Sequence, residues 1–107
     1  MTYLATPYTH PDRAIMQARF EQACRLTAVL IAVGHVVFSP IVHCHSIATI
    51  CKLPGNINYW QFYDRAMLSK AAKLVVAKMD GWETSAGIAY EIKLAAELNI
   101  PVEYMEI

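Results

Sequence analysis

Three features of the sequence predict an α/β domain built on a parallel sheet. The candidate strands are short, continuous apolar runs, as strands buried on both faces require. Segments with helical spacing alternate with those runs, which is the order that βαβ crossovers produce. Turns rich in breakers and polar residues follow the strands, and open parallel sheets bind ligands beyond the carboxyl ends of their strands. Together these features predict one domain over residues 1–107, a three-layer α/β/α arrangement with a parallel four- to five-stranded sheet.

Each element has its own local reason. Thr2–Ala5 is a short apolar run and forms the first strand. Thr6-Pro7-Tyr8-Thr9-His10-Pro11 is a turn, because two prolines interrupt any regular continuation. From Asp12 to about Val33, the apolar residues Ile15, Ala18, Ala23, Leu26, Leu30 and Val33 recur at roughly helical spacing, and Gly34 stops that helix. Val36–Ser39 is the second strand, closed by Pro40. Residues 41–55 are less regular, with one short helical stretch near His43–Ile50. Asn58 or a neighbour caps a helix that runs to about Ala71. Leu74–Ala77 is the third strand, Ser85–Leu98 the last helix and Pro101–Met105 the fourth strand.

Composition narrows the setting. The 107 residues suffice for one core, and 56% of them are apolar against 17% charged. So large an apolar supply on so small a domain predicts burial against another copy, in a homodimer or homotetramer. Nine basic residues balance nine acidic ones, so no basic patch calls for nucleic acid. Cys24, Cys44 and Cys51 are odd in number and lack CxxC spacing, which fits reduced thiols in the cytoplasm. No basic segment followed by an apolar one opens the chain, and the apolar stretch Thr27–Val33 is too short to span a bilayer. A cytoplasmic protein without a membrane partner is expected.

The chemistry concentrates in Asp80–Glu91. An apolar strand turns there through Gly81 into a helix opening with Ser85-x-Gly87. The first amides of a helix lack partners and can meet an anion. Ser85 caps this helix or contacts a phosphate or sugar hydroxyl, and the two roles are compatible. Gly87 allows close approach of a ligand to the backbone. Asp80 is a turn residue and a further candidate contact. Glu91 lies at the edge of the stripe Ile88, Ile92, Ala95. It is either a surface acid paired with a neighbour or a nucleophile, and a carboxylate nucleophile suits attack on a carbon with oxocarbenium character.

Asp64 interrupts a second stripe, Trp60, Tyr63, Met67, Leu68 and Ala71. A carboxylate on a buried face must be paired with an arginine or loop backbone, or must face a polar cavity. Tyr3 and Tyr8 flank the end of the first strand, where they pack or reach a substrate. His43-Cys44-His45 matches no common zinc spacing, and His45 is instead a candidate ligand-lining residue. The first βα turn has no glycine, so a dinucleotide fingerprint is missing, and no cofactor or metal is expected.

Tyr3-Leu4-Ala5, then Asp64-x-x-x-Leu68-x-x-Ala71, then Ser85-x-Gly87-x-x-x-Glu91 form an ordered set that resembles the nucleoside 2-deoxyribosyltransferase-like superfamily, including its small nucleotide N-glycosidases. The segment Gly81–Ser85 with Glu91 is also similar to a small, mostly uncharacterised branch of it. The resemblance implies a flavodoxin-like winding and cleavage or transfer at the N-glycosidic bond of a nucleoside or nucleoside 5′-monophosphate. It implies that Glu91 attacks the anomeric carbon, that Asp64 assists at the base or sugar, and that Tyr3 stands near the glutamate. Ser85 matches a position that is serine in the nucleotide hydrolases and acidic in the transferases of free nucleosides. It further implies no metal and a homo-oligomer whose subunits complete each other's site. A non-catalytic nucleotide-binding module of the same fold is the alternative, and a structural oligomer with ordinary acids is the third reading.

Overall fold

In the computed structural model, which describes all residues from Met1 to Ile107, four apolar runs become four parallel strands. They are β1 (Thr2–Ala5), β2 (Val37–Phe38), β3 (Lys73–Ala77) and β4 (Val102–Met105), in the order β2-β1-β3-β4. Tyr3 stands between Phe38 and Leu74 in the ladder, and Val76 stands beside Tyr104. This is the flavodoxin-like winding. Its strand order reverses between β1 and β3, and a crevice opens beyond the carboxyl ends of strands at such a reversal.

Alternation along the strands sorts the core into two sides. Tyr3, Ala5, Leu74 and Val76 pack with Leu68 of helix α3 (Ile57–Leu68) and with Ile88, Leu94 and Ala95 of helix α4 (Ala86–Glu97). Leu4, Val75 and Ala77 pack with Leu26 and Leu30 of helix α1 (Arg13–Ala32). Helices on both sides of the sheet give the three layers.

The helix ends have physical causes. Asp12 caps α1 by accepting from the Ala14 amide at 2.8 Å, and Gly34 leaves it at φ +100°. Asn56, two residues before the expected position, caps α3 by accepting from the Tyr59 amide at 3.0 Å. That helix ends at Leu68, short of Ala71, because Lys73 already belongs to β3. Ser85 caps α4, and a 3₁₀ turn at Trp82–Thr84, invisible to periodicity, precedes it.

The largest departure is helix α2 (Pro40–Cys51), a full twelve residues where the sequence predicts only a short piece near His43–Ile50. Pro40 does not merely close β2. It occupies the first turn of α2, where its fixed φ is suitable and its missing N–H costs nothing. Ser39 caps the helix by accepting from the Val42 amide at 3.3 Å. With Pro40 in the helix, β2 shrinks to two residues. No helix is long and apolar enough to cross a membrane.

Candidate functional site

A cleft of about 1020 Å³ opens where the strand order predicts it. Thr6 and Tyr8 enter it from the turn after β1, and Thr84 and Ser85 enter from the turn after β3. All four helices begin beside it, through Arg13, Pro40, Ile57 and Ala86. The first amides of a helix carry partial positive charge and lack intrahelical acceptors. In α4 the Ser85 hydroxyl takes the Ile88 amide at 3.2 Å, which leaves those of Ala86 and Gly87 free. Gly87 is helical, and a Cβ there would meet nothing closer than the Ser85 hydroxyl at 3.8 Å. Packing therefore does not demand this glycine, and the space it leaves belongs to the cleft.

Asp64 and Glu91 line the cleft from α3 and α4, only 8% and 6% exposed. The sequence places both acids on or beside an apolar stripe. Glu91 lies within its stripe instead of at the edge, since the buried residues of α4 are Ile88, Glu91, Leu94 and Ala95. Neither carboxylate has a cation partner. Burial pushes Glu91 up to about 8; the Tyr3 hydroxyl opposes that rise and the Asp64 charge adds to it. Burial pushes Asp64 up to about 6. Cys44, beside them on the cleft wall, is pushed up to about 12 by burial and by Asp64, so its thiol keeps its proton.

Three buried side-chain atoms in the whole molecule lack a hydrogen-bond partner: Tyr3 Oη, Thr6 Oγ1 and Asp64 Oδ1. Thr6 and Asp64 line the cleft, and Tyr3 lies directly beneath it. Leaving such an atom unpartnered costs about 1–3 kcal/mol. Tyr3 is fully buried behind Glu91 and does not line the cleft. Its hydroxyl is near enough to favour the charged glutamate but short of hydrogen-bond geometry. Its own phenol is raised far above its ordinary value by burial, then by the charges of Glu91 and Asp64.

The opposite wall is aromatic and satisfied. Tyr8 Oη and His45 Nδ1 are 2.6 Å apart, and the His45 ring stacks on Phe20 with centroids 4.0 Å apart. Burial lowers the pKa of His45 and raises that of Tyr8, so both are neutral. Trp60 donates to the Pro54 carbonyl at 2.8 Å and also lines the cleft. Arg19 donates to the carbonyls of Tyr8 and Thr9 at 3.4 and 3.1 Å. Its guanidinium lies against Gly81, where φ is +89° and a Cβ would collide with it.

Some expected contacts fall elsewhere. Asp80 is exposed and outside the cleft lining, because Gly81 turns the chain away before the helix starts. Successive residues on a helix point in different directions, so His43-Cys44-His45 diverges. His43 is exposed and bonded to Tyr63 at 2.8 Å, Cys44 is buried at the cleft, and His45 meets Tyr8. No group of three or more histidine, cysteine or acidic side chains is placed to hold a metal ion. Sequence reasoning missed Arg13 and Lys52 as cleft residues, and it brought Thr6 here only as part of the turn Thr6–His10 that follows the first strand. A lone threonine in a breaker-rich turn and two surface cations carry no pattern; only topology brings them together.

Fold and site together define a doubly wound α/β domain with two buried acids on the cleft floor at its switch point. The chain belongs to the family described as Domain of unknown function (DUF1937), which matches residues 1–107. No curated protein matches it.

Proposed function

We propose that the protein breaks or transfers the N-glycosidic bond of a nucleoside or nucleotide through Glu91, as the nucleoside 2-deoxyribosyltransferase-like enzymes it resembles do. One observation carries the reading: two buried, unpaired carboxyl groups meet on the floor of a cleft that also receives the free amides of α4. A fold does not need such a pair, and a glycosidic reaction does. The Glu91 carboxylate attacks the anomeric carbon while the carbon–nitrogen bond breaks and its electrons leave with the base. Asp64, as the acid, gives the base its proton. Asp64 then takes a proton from water, or from the NH of an accepting base, as that nucleophile displaces Glu91 from the sugar.

The proton inventory sets what the reaction must change: burial raises Glu91 more than Asp64, so at rest the shared proton sits on Glu91 and the charge on Asp64. The pair titrates with apparent values of about 6 and about 8. Between them it holds one proton, so one group is the acid and the other the anion. Attack needs that proton moved from Glu91 to Asp64, and the Tyr3 hydroxyl lowers the cost of the exchange by favouring the charged glutamate. Tyr3 is thus a positioning residue. Tyr8 and His45 would contact the base or sugar from the wall, and Ser85 and Gly87 a 5′-phosphate. The reading includes a homodimer or homotetramer, since Ile50 and Phe62 expose large apolar side chains, and a cytoplasmic setting, since all three cysteines are free.

The test is a panel of nucleosides and 5′-monophosphates scored by release of free base, with mass spectrometry for a sugar ester on Glu91. Release with a bell-shaped pH profile is expected. Tight binding without release or adduct would replace the enzyme by a nucleotide-binding module.

A further inference from the structure

Arg13 and Lys52 line the same cleft as Asp64 and Glu91, from the first turn of α1 and the end of α2. Neither cation makes an ion pair. Neither side chain makes a hydrogen bond to the protein. Nor do they serve the floor acids: both carboxyl groups are raised by burial, and no cation lowers them. Arg13 and Lys52 are exposed where the acids are buried, so the two positive charges stand at the solvent side of the cleft. Two cations above a floor that holds one negative charge leave the cleft net positive.

Lys52 has a second peculiarity. It sits at φ +57° in the left-handed region, as the cap of α2. Glycine is the favoured residue there, because a side chain strains this conformation. A lysine in place of a glycine costs stability, and its unpaired ammonium contributes nothing to the fold in return. The cleft volume also lies at the upper end of the roughly 300–1,000 Å³ that holds one small ligand. A nucleoside monophosphate on the floor and the α4 amides leaves the rim unused.

We infer that Arg13 and Lys52 form a second anion subsite, and that the preferred ligand is a nucleotide whose phosphate chain extends beyond the first phosphate, from the α4 amides to this rim. This rests on the nucleotide reading of the site. The first phosphate meets the amides of Ala86 and Gly87, and the next ones meet the guanidinium and the ammonium. Charge-assisted bonds from both are strong enough to set preference.

Calorimetry with the full chain tests it, using a nucleoside 5′-monophosphate, the matching 5′-diphosphate, and inorganic pyrophosphate. The diphosphate is expected to bind at least about tenfold tighter than the monophosphate, equivalent to about 1.4 kcal/mol. In Arg13→Gln with Lys52→Gly that preference is expected to collapse, and pyrophosphate binding with it. Lys52→Gly alone is expected to raise the melting temperature while lowering diphosphate affinity, which a structural cap would not do. Equal affinity for mono- and diphosphate in the wild type, or a preference that survives in the double variant, overturns the inference and leaves the nucleotide reading intact. Pyrophosphate binding that depends on both cations, without binding of any nucleotide, keeps the anion subsite and removes the nucleotide reading. A fall in melting temperature on Lys52→Gly overturns the role of Lys52.

Discussion

The two walls of the cleft treat their polar groups in opposite ways. On the α1–α2 side, Tyr8 meets His45, and Arg19 holds the Tyr8 and Thr9 carbonyls from behind. On the floor, Tyr3, Thr6 and Asp64 each keep an atom without a partner, and Glu91 is buried without a cation. A satisfied polar group holds a wall in one shape. An unsatisfied one is a standing cost, and at Thr6 and Asp64, which line the cleft, a ligand can relieve it. One wall thus resists change and the other awaits an occupant, and substitutions on the two sides should fail in different ways.

The largest effect is expected at Glu91. Glu91→Gln keeps the size of the side chain and removes the nucleophile. Base release should fall by at least about a thousandfold, the scale on which removing a covalent catalyst acts. Circular dichroism should be unchanged. Near-normal turnover would remove Glu91 from the mechanism and make the floor a binding surface.

Stability should change in the direction opposite to activity, and pH exposes it. Glu91 is raised from 4.5 to about 8, and Asp64 from 3.8 to about 6. Below about pH 3 both are largely protonated in the folded and unfolded chain, so they cost almost nothing. As pH rises toward 8, the unfolded chain ionises while the fold holds its protons, and stability falls. Above about 8 the loss is complete. A tenfold difference in proton affinity between the two states is worth about 1.4 kcal/mol, so the total is on the order of a few kcal/mol. Melting temperature should therefore drop between about pH 4 and about pH 8 in the wild type. It should drop less in Glu91→Gln, and less in Asp64→Asn, with that variant also losing activity. An unfolded Asp64→Asn protein would assign Asp64 to the structure.

The same contrast between local and convergent features decides what the sequence makes legible. Strands β1 and β3 are legible because buried parallel strands are continuous apolar runs, whereas β4 is a half-exposed edge strand that carries Glu103. The acids are legible because a carboxylate in an apolar stripe breaks a countable period. Helix α2 is not, because proline ends one element or begins the next with the same residue, and only the Ser39 cap decides. Asp80 resembles a contact by its closeness to Ser85 in sequence, and the Gly81 turn removes it. Thr6, Arg13 and Lys52 come from three separate turns, and no local pattern unites residues that topology alone brings to one rim.

Gly81 links the two walls, and breaking it should sharpen the contrast. Arg19 reaches from α1 under Gly81 while holding the turn after β1. Gly81→Ala adds a Cβ at a left-handed φ and against the guanidinium. A loss of about 1–3 kcal/mol is expected from strain and displacement together. Denaturant unfolding measures it, and Arg19→Ala in the same background should recover part of the loss. No recovery would mean that the backbone conformation alone forbids the side chain.

The smallest effect is expected at the satisfied wall. Tyr8 Oη lies 2.6 Å from His45 Nδ1, and burial keeps the phenol and the imidazole neutral. With the phenol donating, the ring is held as the Nε2–H tautomer, which leaves its second nitrogen a donor. Tyr8→Phe removes the hydrogen bond but keeps the ring, and Phe20 still stacks on His45. Because the pair is only half-buried, water can replace the lost hydroxyl. The cost should be about 0.5–1.5 kcal/mol, well below the effects at the floor. Nitrogen NMR of the imidazole should show the Nε2–H form in the wild type and a mixture of tautomers in the variant. Turnover should fall through KM more than through kcat, since the wall orients a ligand and the floor reacts with it. A fall confined to kcat would move Tyr8 from the wall to the chemistry, and the contrast between the two sides of the cleft would fail there.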